Sequence, residues 1–354
     1  MRTRHLGDLW LVSALTLGGG GIGQLWGDTT RDECISTARA AVDGGVTLLD
    51  MAPSYGQGEA ERVIGAAFDG KLPDDVHITT KCRLGSPAPG AVEATLTKSL
   101  DESLARMRLE RVDVFLLHSN IIPDNYDAIA YADRPATIWS LYEKQFRPAC
   151  ENLVAQGRIG AWGLTGIGIP DEIILALAES PKPGVVQCIA NPLNSVGELK
   201  YYEGPTRARE IIATAKSRNV GVMGIRAVQG GAFTDGVDRA LPDGHGVVAD
   251  FNRASKFRTL AKELNQSAAA LAHRYALTMD GVDTVVLGVK NRAELTDCLN
   301  AEAAGPLNAD IMARVGSIVL AHGKNRLAVE HGAYGEATVY AVNRFAKDGG
   351  DRDD

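Results

Sequence analysis

Short apolar runs alternate with longer amphipathic stretches along the chain. The runs occupy residues 14–17, 46–50, 76–80, 112–117, 159–164, 185–189, 220–225 and 284–287, eight in all. They are apolar at successive positions, the pattern of strands buried on both faces of a parallel sheet. The stretches between them carry helix signals. Thr30 followed by Glu33 has the form of a capping box, each side chain serving an amide left free at a helix start. Residues 91–107 place Val92, Leu96, Leu100 and Leu104 on one helical stripe. Pro170, ahead of Asp171 and Glu172, suits the first turn of another helix. Residues 208–217, 253–264, 268–279 and 293–299 continue the series.

Eight strand–helix units on a right-handed path close most naturally into a (β/α)8 TIM barrel of the α/β class. An open doubly wound sheet is the alternative, since periodicity does not report closure. The barrel domain is expected over residues 1–346, with a short N-terminal β-hairpin, an extra C-terminal helix or loop, and a disordered charged tail over 347–354. The glycines at 18–21 read as a tight turn off the first barrel strand. Two connections, 119–134 and the glycine-rich 226–252, exceed the usual length of such loops. Both, with Trp26 and residues 327–342, are candidates for shaping a pocket; the plainer reading of their apolar residues is that they seal loops onto the barrel.

Composition narrows the classes. With 45% hydrophobic and 23% charged residues in 354, the chain is an ordinary globular one. A net charge of -7 argues against a nucleic-acid partner or a basic membrane face. No window is long and apolar enough for a transmembrane helix. Five scattered cysteines, none at CxxC spacing, suggest neither disulfides nor a metal site and fit a reducing, cytoplasmic compartment. Arg2, Arg4 and His5 precede an apolar run as in a secretory signal, but Asp8 and the glycines favour a hairpin.

Candidate chemistry sits after the runs, where barrel enzymes build their sites. The second run ends at Asp50 and leads to Tyr55; the third leads into Lys81, the fourth into His118. Singly, each could cap a turn or face water. Jointly they suit proton transfer coupled to hydride transfer. A phenol is a poor acid near neutrality unless tuned. Lys81 is expected to lower the Tyr55 pKa, Asp50 to hold the lysine charged and oriented, and His118 to donate to the substrate oxygen. A Schiff base on Lys81, as in aldolase-type barrels, is another enzyme reading. His118 and Asp50 alone fall short of a metal hydrolase.

The stretch from Asp50 through Tyr55 to Glu61, with Gly65 beyond it, resembles the signature of the aldo-keto reductases. Lys81 after Thr79-Thr80 and His118 after Phe115-Leu116-Leu117 fall where that family has its other catalytic residues. The resemblance runs from about residue 2 to about 305. It implies an NAD(P)H-dependent oxidoreductase that reversibly reduces a small aldehyde or ketone, with Tyr55 as general acid and Asp50, Lys81 and His118 in support.

No glycine-rich Rossmann fingerprint is present. Candidate cofactor contacts are Gly19 and Gly20, then Thr165 and Gln187 toward the nicotinamide carboxamide. Thr165-Gly166 replaces the family's Ser-Asn pair. Arg226 stands where the family has an aromatic residue and could stack on nicotinamide; a salt bridge is its alternative. Gly288, Lys290, Arg292 and Glu294 resemble the phosphate-binding turn, and the two cations favour NADP(H) over NAD(H). Some proteins resembling this family are nicotinamide-sensing regulatory subunits with little turnover, which is the non-enzyme reading.

Overall fold

Each of the eight apolar runs forms a parallel strand. The computed structural model describes residues 1–126, 136–200, 202–242 and 244–320. In chain order the strands are β1 (Thr3–His5), β2 (Leu11–Ser13), β3 (Leu15–Gly18), β4 (Leu48–Asp50), β5 (His77–Cys82), β6 (Val112–Leu117), β7 (Asn120–Ile122), β8 (Ala136–Ile138), β9 (Ile159–Thr165), β10 (Val185–Ile189), β11 (Gly221–Ile225) and β12 (Thr284–Leu287). Strands β3, β4, β5, β6, β9, β10, β11 and β12 close into a barrel in that order. Closure is made by β12 on β3, with Val285 opposite Leu15 and Leu287 opposite Leu17. The open-sheet alternative is thereby excluded.

Two cores stabilise this frame. Inside the barrel Leu48, Val114, Leu116, Val185 and Met223 pack with Leu6 and Val12 of the N-terminal hairpin. The hairpin β1–β2 therefore plugs the end where the strands start. Gly7, at φ +57°, permits the approach, since a Cβ there would lie 2.4 Å from the Gly221 nitrogen. A larger core fills the layer between strands and helices. Leu116→Ala would open a cavity in the inner core and cost about 2–5 kcal/mol. The opposite end, where the strands finish, is left for chemistry.

The helices refine the sequence reading. The helix Arg31–Asp43 starts at Thr30, whose side chain accepts from the Glu33 amide at 3.2 Å. Glu33 does not return the bond; its carboxylate goes to Arg292, so the capping box is half made. The helix Val92–Met107 buries the expected stripe. The segment 253–264 belongs to two helices, Gly246–Arg253 and Ser255–Glu263, so the connection after β11 is not a bare loop. Its glycines masked a helix that buries Val247 and starts from a His245 side-chain cap. Three of the glycines at 18–21 form one helical turn, Gly19–Ile22, rather than a tight turn. An extra C-terminal helix, Ala309–Leu320, follows Arg292–Ala303. Residues 327–342, the tail 347–354, and Tyr131 with the rest of 127–135 lie outside the described residues. Among the described residues no helix is long and apolar enough to cross a membrane.

Candidate active site

The barrel brings Asp50, Lys81, Tyr55 and His118 together at the carboxyl ends of β4, β5 and β6. Asp50 ends β4 opposite Thr79 of β5. Its Oδ1 accepts from Thr79 Oγ1 at 2.7 Å and from Gln187 Nε2, across the barrel on β10, at 2.8 Å. Lys81 Nζ lies 2.9 Å from the same oxygen and donates to the Met51 carbonyl at 2.7 Å. Lysine and aspartate are 0% and 2% exposed, so this ion pair is shielded from water.

Tyr55 reaches the pair on the turn after β4. The Lys81 ammonium sits 4.7 Å from its ring centroid. His118 meets the ring edge-on, centroids 5.9 Å apart, and its Nδ1 is 3.5 Å from Ser54 Oγ. The ring rests on Gly19, where a Cβ would come within 2.8 Å of Tyr55 Cδ2. A cleft lined by Gly23, Gln24, Ser54, Gly56 and Gln57 opens beside this turn.

Burial dominates the electrostatics. It pushes the Tyr55 phenol above its ordinary value; Lys81 pulls it down and Asp50 pushes it up, leaving it raised. Lys81 acts in the expected direction, lowering the phenol, but burial acts more strongly and sets the net shift. Burial opposes the charge on Lys81, but Asp50 and Tyr55 outweigh it and hold the ammonium above the usual lysine value. Burial, reinforced by Lys81 and Arg83, lowers His118 to about 3. The cluster thus holds a protonated phenol, a charged lysine and a neutral imidazole at neutral pH.

One supporting residue was not singled out in the sequence. Glu61, fully buried, accepts from Thr80 Oγ1 at 2.6 Å and from Arg106 Nε at 2.5 Å. It ties the helix Glu59–Phe68, and so the Tyr55 turn, to β5. Its place in the signature stretch was the available signal.

Several candidate cofactor residues have protein partners. Thr165 ends β9 with its Oγ1 buried and without a hydrogen-bond partner. Gln187 gives its amide to Asp50, so the expected carboxamide donor is engaged. Arg226, at φ +57°, donates to Gln229 at 2.7 Å and to both Glu198 oxygens at 3.1 and 3.0 Å. The salt bridge, rather than a free stacking plane, is what the fold builds there. Lys290 pairs with Asp238 at 2.9 Å and with Glu294, while Arg292 pairs with Glu33 at 2.9 Å. The Trp26 indole lies against Gly20 and Gly288: a Cβ at either would meet it at 2.5 Å.

Comparison with known proteins agrees with this architecture. The model of the "Aldo/keto reductase family" matches residues 14–319. L-galactose dehydrogenase of Arabidopsis thaliana is 24% identical over 298 residues, covering 83% of this chain and 86% of that protein. Among solved structures, the glycerol dehydrogenase of Gluconobacter oxydans superposes with a TM-score of 0.67 at 22% identity, covering 94% of this chain and 99% of that one. An aldo-keto reductase of Klebsiella pneumoniae in complex with NADPH gives 0.64 at 20% identity, covering 93% and 99%. At these identities the structural likeness speaks for the fold.

Proposed function

The chain belongs to the aldo/keto reductase family, and from that footing we propose that it reduces a small aldehyde or ketone to the alcohol, reversibly, with Tyr55 as the proton donor. The observation that carries the proposal is the contact of Lys81 with both Tyr55 and Asp50 inside a water-poor site. A bound nicotinamide nucleotide supplies the hydride. Tyr55, kept protonated by burial, gives its proton to the carbonyl oxygen, and the adjacent ammonium stabilises the phenolate left behind. Asp50 keeps that ammonium charged and aimed. With its proton on Nε2, the neutral His118 donates to the same oxygen.

The fit to a nicotinamide nucleotide rests on two features. Thr165 Oγ1 is an orphaned buried hydroxyl at a strand end, suited to the carboxamide. Gly19 and Gly20 let the Tyr55 and Trp26 rings pack directly on the backbone at the strand end, which sets the wall a nicotinamide would meet. Arg226, tied to Glu198, is held just past the end of β11. NADP(H) is preferred over NAD(H) through Lys290 and Arg292, with Gly288 in the same turn and Glu294 toward the adenine. The Klebsiella relative bound to NADPH supports this. Arg292 is 60% exposed, and water screens a surface pair such as its bond to Glu33, so a phosphate can displace it. Five unpaired, buried cysteines support a cytoplasmic setting.

The Schiff-base reading is disfavoured. An attacking amine must be neutral, and Lys81 is fully enclosed and held charged. A sensing subunit would keep the fold and most of the site, and turnover is what separates it from an enzyme. The test is Tyr55→Phe. Turnover is expected to fall by about 10²–10⁴ while the cofactor, titrated by fluorescence, still binds; retained turnover would remove Tyr55 from the role.

A further inference from the structure

We propose that Arg83 recognises an anion, and that the natural substrate is a carbonyl compound carrying a carboxylate or phosphate. The inference rests on the reductase reading and names the substrate class of that same site.

Strand geometry places the residue. Thr79 and Lys81 point into the barrel mouth, since both contact Asp50. Cys82 and Leu84 are buried, and Arg83 between them is exposed. Arg83 is the first residue past β5, and with Cys82 and Leu84 on either side both packed in the outer core it turns to the opposite face, that of Lys81. The neighbouring strand agrees. β5 and β6 pair Lys81 with Leu116 and Cys82 with Leu117, and His118 N donates to the Cys82 carbonyl at 2.7 Å. Carried one residue on, this register sets Arg83 beside His118 on the face that holds Val114 and Leu116. At that place the positive charge of Arg83 adds to burial and Lys81 in lowering His118.

The guanidinium is available. Among the described residues Arg83 makes no hydrogen bond or ion pair, whereas Arg31, Arg106, Arg226 and Arg292 are all paired with carboxylates. The chain two residues beyond it is anchored. Gly85 N donates to Ser119 Oγ at 2.8 Å, and Thr137 Oγ1 donates to the Gly85 carbonyl at 2.7 Å. A planar cation beside His118 with no partner among the described residues is a receptor for a carboxylate or phosphate, which a guanidinium binds with paired, charge-assisted bonds. Lys81 does not compete, because Asp50 neutralises it.

The experiment compares kcat/KM for 4-carboxybenzaldehyde and its methyl ester, and for glyceraldehyde 3-phosphate and glyceraldehyde, in the wild type, Arg83→Gln and Arg83→Lys. The wild type is expected to prefer the anionic member of at least one pair. In Arg83→Gln that preference ratio should fall by about tenfold or more, and Arg83→Lys should restore part of it. The pair in which the ratio moves identifies carboxylate or phosphate as the recognised group. A ratio unchanged in Arg83→Gln, or a wild type with no preference for either anion, overturns the proposal while leaving the reductase reading in place. Consumption of none of the four aldehydes overturns the reductase reading itself, and this inference with it.

Discussion

Thr165→Val is expected to strengthen the cofactor-free protein and weaken its hold on the cofactor. Valine keeps the shape and β-branching of threonine and replaces the hydroxyl by a methyl. In the structure that hydroxyl is buried with no partner. A polar group left so costs about 1–3 kcal/mol, so its removal should stabilise the cofactor-free chain by about 1 kcal/mol, or raise Tm by about 2 °C for a chain of this size. If the hydroxyl waits for the nicotinamide carboxamide, the same change removes one hydrogen bond from the complex. Affinity should fall about tenfold, equivalent to about 1.4 kcal/mol. Urea unfolding without cofactor measures the first effect, and fluorescence titration with NADPH the second. The two signs must oppose each other, the mark of a residue kept for binding at the expense of stability. A variant that is less stable alone and binds NADPH as well as the wild type would refute the reasoning, because the hydroxyl would then serve the fold.

Three further outcomes follow from the electrostatics. Lys81→Met leaves Asp50 buried without its cation and should cost about 3–5 kcal/mol in urea unfolding, part of which Asp50→Asn in the same chain should recover; a loss under 1 kcal/mol would mean the pair is not buried. The folded value of Lys81 is raised, so its contribution is complete below the ordinary lysine value of 10.5 and fades only as pH rises through the higher folded value. His118, lowered to about 3 from 6.5, should show no NMR titration between about pH 5 and 8, and the stability its neutral ring gives should be full above 6.5 and lost as pH falls toward 3; a midpoint near 6.5 would contradict the burial argument. Lys290→Ala should weaken NADPH far more than NADH, and equal weakening would mean that Lys290 does not read the 2′-phosphate.

The frame was legible because a closed parallel barrel buries its strands on both faces, and continuous apolar runs report exactly that condition. Their ends were legible too: Asp50, Lys81 and His118 are polar residues at the edge of buried strands, and parallel closure brings such ends together. Partners chosen across the fold left no local trace. Gln187 bonds Asp50 from the far side of the barrel, and Glu198 captures Arg226 from 28 residues away. Glu33 had a plausible local partner at Thr30 and took Arg292 instead, because a guanidinium offers more than a backbone amide. The sign of the Tyr55 shift could not be read either. Sequence shows that a lysine is near, but the depth of burial that outweighs it is a property of the packed site.

The central claim is that the assembled cluster turns over. Purified protein should be titrated with NADPH and with NADH by fluorescence, then the bound nucleotide challenged with a reactive aldehyde such as 4-nitrobenzaldehyde while its absorbance is followed. The account predicts tight binding, tighter for NADPH, and consumption of the nucleotide on adding aldehyde. Tight binding with no consumption would contradict it and make the protein a nucleotide sensor, and no binding would remove the oxidoreductase reading altogether.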